Sequence, residues 1–403
     1  MGGAAARTLG TVSAVEQHEV EAPPRSEGLR VGSLLGVPVL VARSWFVIAA
    51  VITFTFAPLV QRTEPGIGAL AYVVAFAYAL LLCLSVLVHE LAHAVTARAY
   101  GIPASRIVLT LWGGHTQFER DVPSPGRSFA IAVAGPASNG VLALLAWGAV
   151  EVLDPPPLGR LLLLALAITN GFVALTNVLP GLPLDGGRLL EAVVWRTSGD
   201  RDLGTVTAGW VGRVVALGVP VLALGWPLMQ GSRPSLFTVV WAGVLGALLW
   251  ASAGSAVQGA QIRRRAPAAS VEGLARPVVS VPAGASLTEA LAAGSRAPEG
   301  TAVVLTGAGG EPVAVLDPAA VADVPLARRD GVLAASAARA LPAGAVVPPG
   351  LSGQELLRAL SDVPAEEWVV QAPGGPVTGI LRASDVVAVV MGPRARRAAG
   401  RRS

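Results

Sequence analysis

Residues 69–97, ALAYVVAFAYALLLCLSVLVHELAHAVTA, decide the fold class because a long apolar run ends in a cluster of polar side chains. As a helix, the run is long enough to cross the roughly 30 Å of hydrocarbon in a bilayer. Its last part contains His89, Glu90 and His93. Such residues inside a membrane segment are costly and usually mark a function. The stretch therefore predicts a membrane helix with a chemical site near one end.

The rest of the first 260 residues contains further apolar runs of similar length. The composition, 53% hydrophobic and 14% charged, agrees with a membrane protein. Two other stretches, 31–43 and 105–119, are rich in Val, Leu, Thr and Gly and predict short β-hairpins beside the membrane. The expected fold is thus a polytopic α-helical membrane protein. Its six predicted spans are roughly 45–60, 69–97, 128–152, 159–180, 209–229 and 236–258.

The positions of the arginines predict the orientation, because positive residues in short loops are retained on the cytoplasmic side. The loops between spans two and three and between spans four and five, and the segment after span six, form one arginine-rich side. The opposite loops hold Arg62, Arg160 and Arg233. We expect a multi-pass protein of the cell membrane with both termini in the cytoplasm. The arginine-rich side contains Arg98, Arg106, Arg120, Arg127, Arg188, Arg196, Arg201, Arg263, Arg264 and Arg265.

After Arg265 the composition changes to short Val-rich runs separated by Gly/Pro turns and helical segments, which is typical of an α/β domain. The order strand, helix, strand, strand, helix occurs twice, at about 270–325 and 330–391, and predicts two similar repeats. No nucleic-acid partner is expected. The predicted organisation is a flexible cytosolic tail (1–30), a membrane domain (31–260), a linker (261–269), a tandem-repeat domain (270–391) and a basic tail (392–403).

The sequence His89-Glu90-Leu91-Ala92-His93 is an H-E-x-x-H motif on the second span. Residues four apart share one face of a helix, so both imidazoles can bind the same Zn²⁺ ion. Glu90 then lies beside the metal, where it can act as the general base of a metalloprotease. We therefore predict one zinc ion per chain, held by His89 and His93.

A catalytic zinc usually has three protein ligands and one open position, so a third donor is expected. His18 lies in the polar N-terminal tail and is a poor candidate. Asp185 is a better one, because it follows an apolar span in the segment Asn177-Val-Leu-Pro-Gly-Leu-Pro-Leu-Asp185-Gly-Gly-Arg188. The prolines break the helix and the glycines allow close backbone approach. Both polar clusters lie towards the cytoplasmic ends of their spans.

With these motifs the chain resembles the site-2 proteases, a family of intramembrane zinc metalloproteases. H-E-L-A-H matches the first motif of the family, and N-x-x-P-x-x-P-L-D-G-G-R matches the second, with Asp185 as the third zinc ligand. A third signature, Gly-Pro-x-x-Asn, occurs at residues 135–139. The resemblance covers about residues 31–260 and implies hydrolysis of peptide bonds within the bilayer.

The resemblance also implies roles that the residues alone do not specify. Asn177 would hold the substrate carbonyl or stabilise the oxyanion. The predicted hairpins would pair with an unwound segment of the substrate, which is expected to be a single-span regulator such as an anti-sigma factor.

His115 could bind a product carboxylate, shuttle a proton or ligate zinc, but a loop histidine without a mechanistic role is the preferred interpretation.

The second half resembles a pair of cystathionine-β-synthase (CBS) motifs, which bind adenosine nucleotides between two repeats. Gly379-Ile-Leu-Arg-Ala-Ser384-Asp385 is the better match, and it implies that Ser384 and Asp385 contact a ribose. Arg382 stands where the family often has Ser or Thr. An adenine nucleotide at this pair is one expectation, and a structural or homodimerising role is the other.

A second functional hypothesis is a CBS-regulated transporter or channel with a structural or transported metal ion. Glu90 argues against it, since neither kind of site needs a carboxylate between its two histidines. A transporter would also be expected to contain internally repeated pairs of spans, and the sequence shows no such pairs.

Overall fold

The computed structural model describes residues 28–391, which form two compact units that meet in the sequence between Ala260 and Gln261. The predicted tails fall largely outside this range, and so does His18. The domain limits predicted from the sequence stay predictions.

The first unit contains six helices that are long and apolar enough to cross a membrane, and each corresponds to a predicted span. Many of their large apolar side chains are exposed on the outside, as lipid-facing residues are. These six helices, together with the repeats of the second unit, confirm the predicted fold class. The six helices are α1 (Arg43–Thr63), α2 (Leu70–Ala99), α3 (Pro125–Leu153), α4 (Pro157–Asn177), α6 (Arg201–Met229) and α7 (Leu236–Arg265).

A shorter helix, α5 (Asp185–Ser198), separates α4 from α6. The chain between α4 and α5 contains Pro180 and Pro183, and proline disfavours a helix interior because it lacks the amide hydrogen and its ring clashes with the preceding turn. Gly199 ends α5 in the left-handed conformation, with φ of 75°. The break predicted from the two prolines is therefore present.

The two predicted hairpins form a single four-stranded sheet of β1 (Leu29–Leu34), β2 (Val37–Val41), β3 (Ala104–Thr110) and β4 (Gly113–Phe118). Strand β2 pairs in parallel with β3, and the other two pairings are antiparallel. The side chains of β2 alternate between buried and half-buried, so that Val37, Val39 and Val41 pack against Trp45 and the adjoining core. Because the order is β1-β2-β3-β4, strand β4 lies at one edge of this sheet.

The second unit contains the repeated order that the sequence predicts. After α8 (Val271–Leu274), the first repeat has β5 (Val278–Pro282), α9 (Leu287–Ser295), β6 (Ala302–Thr306), β7 (Pro312–Leu316) and α10 (Pro318–Ala322). After β8 (Ala338–Ala340), the second has β9 (Val346–Val347), α11 (Gly353–Asp362), β10 (Glu367–Gln371), β11 (Val377–Arg382) and α12 (Ala383–Met391). In each repeat the first two strands pair in parallel and the last two antiparallel.

Local sequence explains how these short helices begin. Ser286 caps α9 by accepting a hydrogen bond from the Glu289 amide, and the Glu289 carboxylate accepts one from the Ser286 amide. Residues 261–269, predicted as a linker, form the end of α7 and a turn, and Ile262, Ala266 and Ala269 are buried in the core of this unit.

Candidate metal centre

The polar residues of the H-E-x-x-H motif lie in the second half of α2 and point into the protein. His89 and His93 are 7% exposed and Glu90 is 5% exposed. The two histidines are one helical turn apart, so their rings lie on one face of α2. Their Nε2 atoms are 3.2 Å apart.

Asp185 is the first residue of α5, where the positive end of the helix dipole favours a carboxylate. The preceding turn is held against α6, because the Leu182 amide donates to the Ala208 carbonyl at 3.1 Å. Close approach there depends on small residues, since a Cβ on Gly212 would overlap the Leu182 backbone. The turn thus fixes where α5 begins.

These elements bring together the three residues predicted as ligands. Asp185 Oδ2 lies 3.0 Å from His89 Nε2 and 3.3 Å from His93 Nε2. Within residues 28–391, His89, His93 and Asp185 are the group of side chains close enough to share one metal ion.

The other ring nitrogens show how the imidazoles are protonated. His93 Nδ1 lies 2.7 Å from the backbone carbonyl of Ile131, which can only accept a hydrogen bond. Nδ1 must therefore carry the hydrogen, and in the neutral ring Nε2 keeps its lone pair. His89 Nδ1 lies 2.7 Å from Asn139 Oδ1, which gives the same tautomer.

Two ring lone pairs and a carboxylate oxygen therefore face one another. Asp185 Oδ2 is buried and accepts no hydrogen bond from the described part of the chain. A cation at this point would satisfy all three atoms, and two imidazoles with one carboxylate are a ligand set suited to zinc.

Gly135 provides the space that the imidazoles occupy. A Cβ at this position of α3 would overlap ring atoms of both His89 and His93. The glycine therefore lets α3 approach α2 closely enough for Ile131 and Asn139 to hydrogen-bond the two rings.

Glu90 points towards the edge strand of the sheet. Thr116 Oγ1 of β4 donates to Glu90 Oε2 at 2.8 Å. A Cβ on the neighbouring Gly114 would overlap the Glu90 side chain. The carboxylate is therefore held between α2 and β4, outside the group of ligand atoms.

Two solved structures resemble parts of the chain. A site-2 protease from Methanocaldococcus jannaschii is 21% identical with a TM-score of 0.40, and the match covers 57% of this chain and 94% of that one. The CBS domain of a bacterial CNNM/CorC family Mg²⁺ transporter is 19% identical with a TM-score of 0.26, covering 38% of this chain and 96% of that one.

The family comparison is decided by sequence. A family model described as peptidase family M50 matches residues 77–155, which contain the H-E-x-x-H motif. A putative zinc metalloprotease of Synechocystis sp. is 32% identical over 271 residues, which are 66% of this chain and 69% of that relative. The chain belongs to peptidase family M50.

Membership of M50 confirms the sequence prediction of an intramembrane zinc metalloprotease with a multi-pass membrane domain. The family acts on membrane-protein substrates. The alternative, a transporter or channel with a structural or transported metal ion, is not favoured.

Two other predicted site residues of the M50 domain lie outside the group of ligand atoms. Asn177 is the last residue of α4, before the turn that leads to Asp185, and its side chain is half-buried. His115 lies in β4 opposite Val108, with its side chain exposed.

In the second unit, Ser384 and Asp385 lie in the first turn of α12. Asp385 Oδ2 accepts hydrogen bonds from Arg276 Nε at 3.0 Å and Nη2 at 2.8 Å. A nucleotide ribose at this position would therefore meet a carboxylate that already pairs with a guanidinium group.

Several residues around the centre have contacts that the motifs alone do not predict. Asn139 belongs to the Gly-Pro-x-x-Asn signature, whereas Asn170, Thr116 and Gly114 belong to none of the motifs. Asn139 and Asn170 can be recognised in the sequence as candidates for buried polar contacts, because an asparagine inside an apolar span is costly without partners. No comparable signal marks Thr116, since its contact depends on how β4 packs against α2.

Proposed function

We propose that His89, His93 and Asp185 hold one zinc ion per chain and that Glu90 is the general base of peptide hydrolysis. The convergence of two Nε2 atoms and Asp185 Oδ2 on one point carries this proposal. Bound zinc supplies a Lewis acid that polarises the scissile carbonyl and increases the acidity of a water molecule. The chain itself would supply the base. Glu90 follows His89 on α2 and its Oε2 is oriented by Thr116, and this carboxylate would take the proton and pass it to the leaving amine.

Asn177 is proposed to hold the substrate carbonyl or to stabilise the developing oxyanion. Its amide group offers two donors, which suits this role. Its position beside the turn that leads to Asp185 supports the assignment.

The substrate is proposed to enter as an extended segment that pairs with β4. A helical substrate hides its carbonyls in internal hydrogen bonds, so it must unwind before hydrolysis. Strand β4 is an edge strand, and addition of a strand to such an edge is a common mode of peptide binding. Because Gly114 and Thr116 of β4 contact Glu90, a segment paired there would lie beside the base.

We further propose that both termini lie in the cytoplasm and that the substrate is a single-span regulator such as an anti-sigma factor. The orientation is supported by the arginine distribution, with Arg263, Arg264 and Arg265 at the end of α7. The repeats of the second unit are proposed to bind an adenine nucleotide near Ser384 and Asp385, or to join two copies of the chain.

The test compares cleavage of co-expressed single-span proteins by the wild type and by Glu90→Gln. The variant should lose cleavage by at least about 100-fold, the usual contribution of a general base, while zinc content is unchanged because Glu90 is not a ligand. Asp185→Ala should lose zinc as well as cleavage. The matched control is Glu119→Gln, a change at an exposed glutamate of the same unit. Full activity of Glu90→Gln would sink the assignment.

A further inference from the structure

A relay of buried hydrogen bonds extends from His89 away from the ligand atoms. His89 Nδ1 contacts Asn139 Oδ1 at 2.7 Å, and Asn139 Nδ2 donates to Asn170 Oδ1 at 2.9 Å. Asn170 Nδ2 in turn donates to the Leu166 carbonyl at 2.9 Å and to Ser85 Oγ at 3.2 Å. Asn139 is 2% exposed and Asn170 1%, so water does not compete for these bonds.

The donor and acceptor of every hydrogen bond in this relay are determined at the end away from His89. The Leu166 carbonyl can only accept, so it must face the amide NH₂ of Asn170. Ser85 Oγ donates its hydrogen to the Leu81 carbonyl and is left as an acceptor for Asn170. Both hydrogens of Asn170 Nδ2 are thereby engaged, and its Oδ1 must face Asn139.

The orientation of the Asn170 amide determines that of Asn139, and Asn139 in turn determines which ring nitrogen of His89 carries the hydrogen. Because Asn170 Oδ1 accepts from Asn139 Nδ2, the Oδ1 of Asn139 faces His89 and accepts from Nδ1. If the Asn139 amide were rotated by half a turn, two oxygens would face each other, and His89 would have to carry its hydrogen on Nε2. That hydrogen would occupy the position from which Nε2 faces Asp185 and His93.

We propose that Asn170 is a positioning residue that selects the zinc-binding tautomer of His89 through Asn139. The tautomer of His93 is set directly by the Ile131 carbonyl. The tautomer of His89 is set by the Leu166 carbonyl, and by the Leu81 carbonyl through the Ser85 hydroxyl, both acting through the amides of Asn170 and Asn139. Hydrogen-bond partners that orient metal-ligating histidines typically change metal affinity or activity by about 10- to 100-fold. The inference rests on the proposed ligand set.

The test uses Asn170→Leu in the full chain in detergent. Leucine is preferred to alanine because Asn170 borders a cavity of about 170 Å³, and a smaller side chain would leave room for water to replace the lost bonds. We expect the zinc dissociation constant, measured by chelator competition, to rise about 10- to 100-fold. In the zinc-free protein, ¹⁵N spectra of the four histidines should show a single Nδ1–H tautomer of His89 in the wild type and a mixture in the variant.

Thr169→Val is the matched control, because Thr169 is the adjacent residue on α4 and its hydroxyl bonds Tyr78 rather than the relay. It should change neither the zinc affinity nor the tautomer. An equal loss in this control, or an Asn170→Leu protein with wild-type affinity and a single tautomer, would overturn the proposal.

A second variant separates positioning from general damage to folding. Asn139→Asp offers His89 an acceptor whichever way its carboxylate is turned, so the relay is no longer needed. In this background Asn170→Leu should cause no further loss of zinc affinity, and a full 10- to 100-fold loss would contradict the proposal. If the wild type binds no zinc, or His89→Gln binds it normally, the ligand set fails instead.

Discussion

At the scale of single residues, the candidate metal centre depends on a glycine as well as on its polar side chains. Gly135 has no Cβ, so the rings of His89 and His93 fit against α3. Gly140 lies five residues further along the same helix, and a Cβ added there would meet no atom within 4 Å. Alanine substitutions at these two glycines therefore test whether the close contact between α3 and the two imidazoles matters, with Gly140 as the control.

Gly135→Ala is expected to displace one or both imidazoles. Zinc affinity should fall by at least about tenfold, the loss typical when the orientation of metal ligands is disturbed. Chelator competition on the purified protein measures the change. Gly140→Ala should leave zinc affinity unchanged, and equal behaviour of the two variants would contradict the packing described for Gly135.

At the scale of elements, the proposed base is oriented by a strand, and the three proposed metal ligands lie on helices. Helix α2 carries Glu90, but its carboxylate is oriented by Thr116 of β4. The sheet is built from two segments that are about 60 residues apart in the sequence and pair through β2 and β3. Its function would be to align both the base and an extended substrate.

Thr116→Val is expected to slow cleavage without removing zinc. A hydrogen bond to a charged group contributes about 1.5 kcal/mol, and this corresponds to roughly tenfold in rate. The measurement is the cleavage rate of a co-expressed substrate together with zinc content. Thr197→Val is the control, because the Thr197 hydroxyl bonds backbone carbonyls of its own helix, α5. An unchanged rate for Thr116→Val would show that Glu90 needs no support from β4.

At the scale of the whole molecule, the orientation in the membrane decides which compartment the repeats and the metal centre face. The arginine distribution predicts that Arg265, at the end of α7, lies in the cytoplasm. Pro156, in the loop between α3 and α4, should lie on the opposite side. Reporter fusions at these two positions should report opposite sides of the membrane. If both report the same side, one of the helices between them does not cross the membrane.

Nucleotide regulation is also a property of the whole chain. A nucleotide can influence cleavage only if it binds two forms of the membrane domain with different affinity. The expected coupling is about 1–3 kcal/mol, or roughly 5- to 150-fold in affinity. Calorimetry on the full chain in detergent should detect ATP, ADP or AMP, and Asp385→Ala should weaken binding. If none binds at millimolar concentration, the repeats are better assigned to dimerisation.

The sequence by itself determined the six spans, the repeats of the second unit and the motifs that contain His89, Glu90, His93 and Asp185. These features are local, since hydrophobic runs, helical spacing and proline breaks depend on residues close together in the chain. Even Asp185 could be proposed from one segment, because a carboxylate beside an apolar span needs a partner.

Only the tertiary structure decided how the side chains around the centre are held. The contacts of Asn139 with His89, of Asn170 with Asn139 and of Thr116 with Glu90 join residues 26 to 50 positions apart. No local pattern encodes them, because they depend on how closely α3, α4 and β4 approach α2. The physical reason is that a buried amide or hydroxyl must find a partner, but packing alone determines which partner it finds.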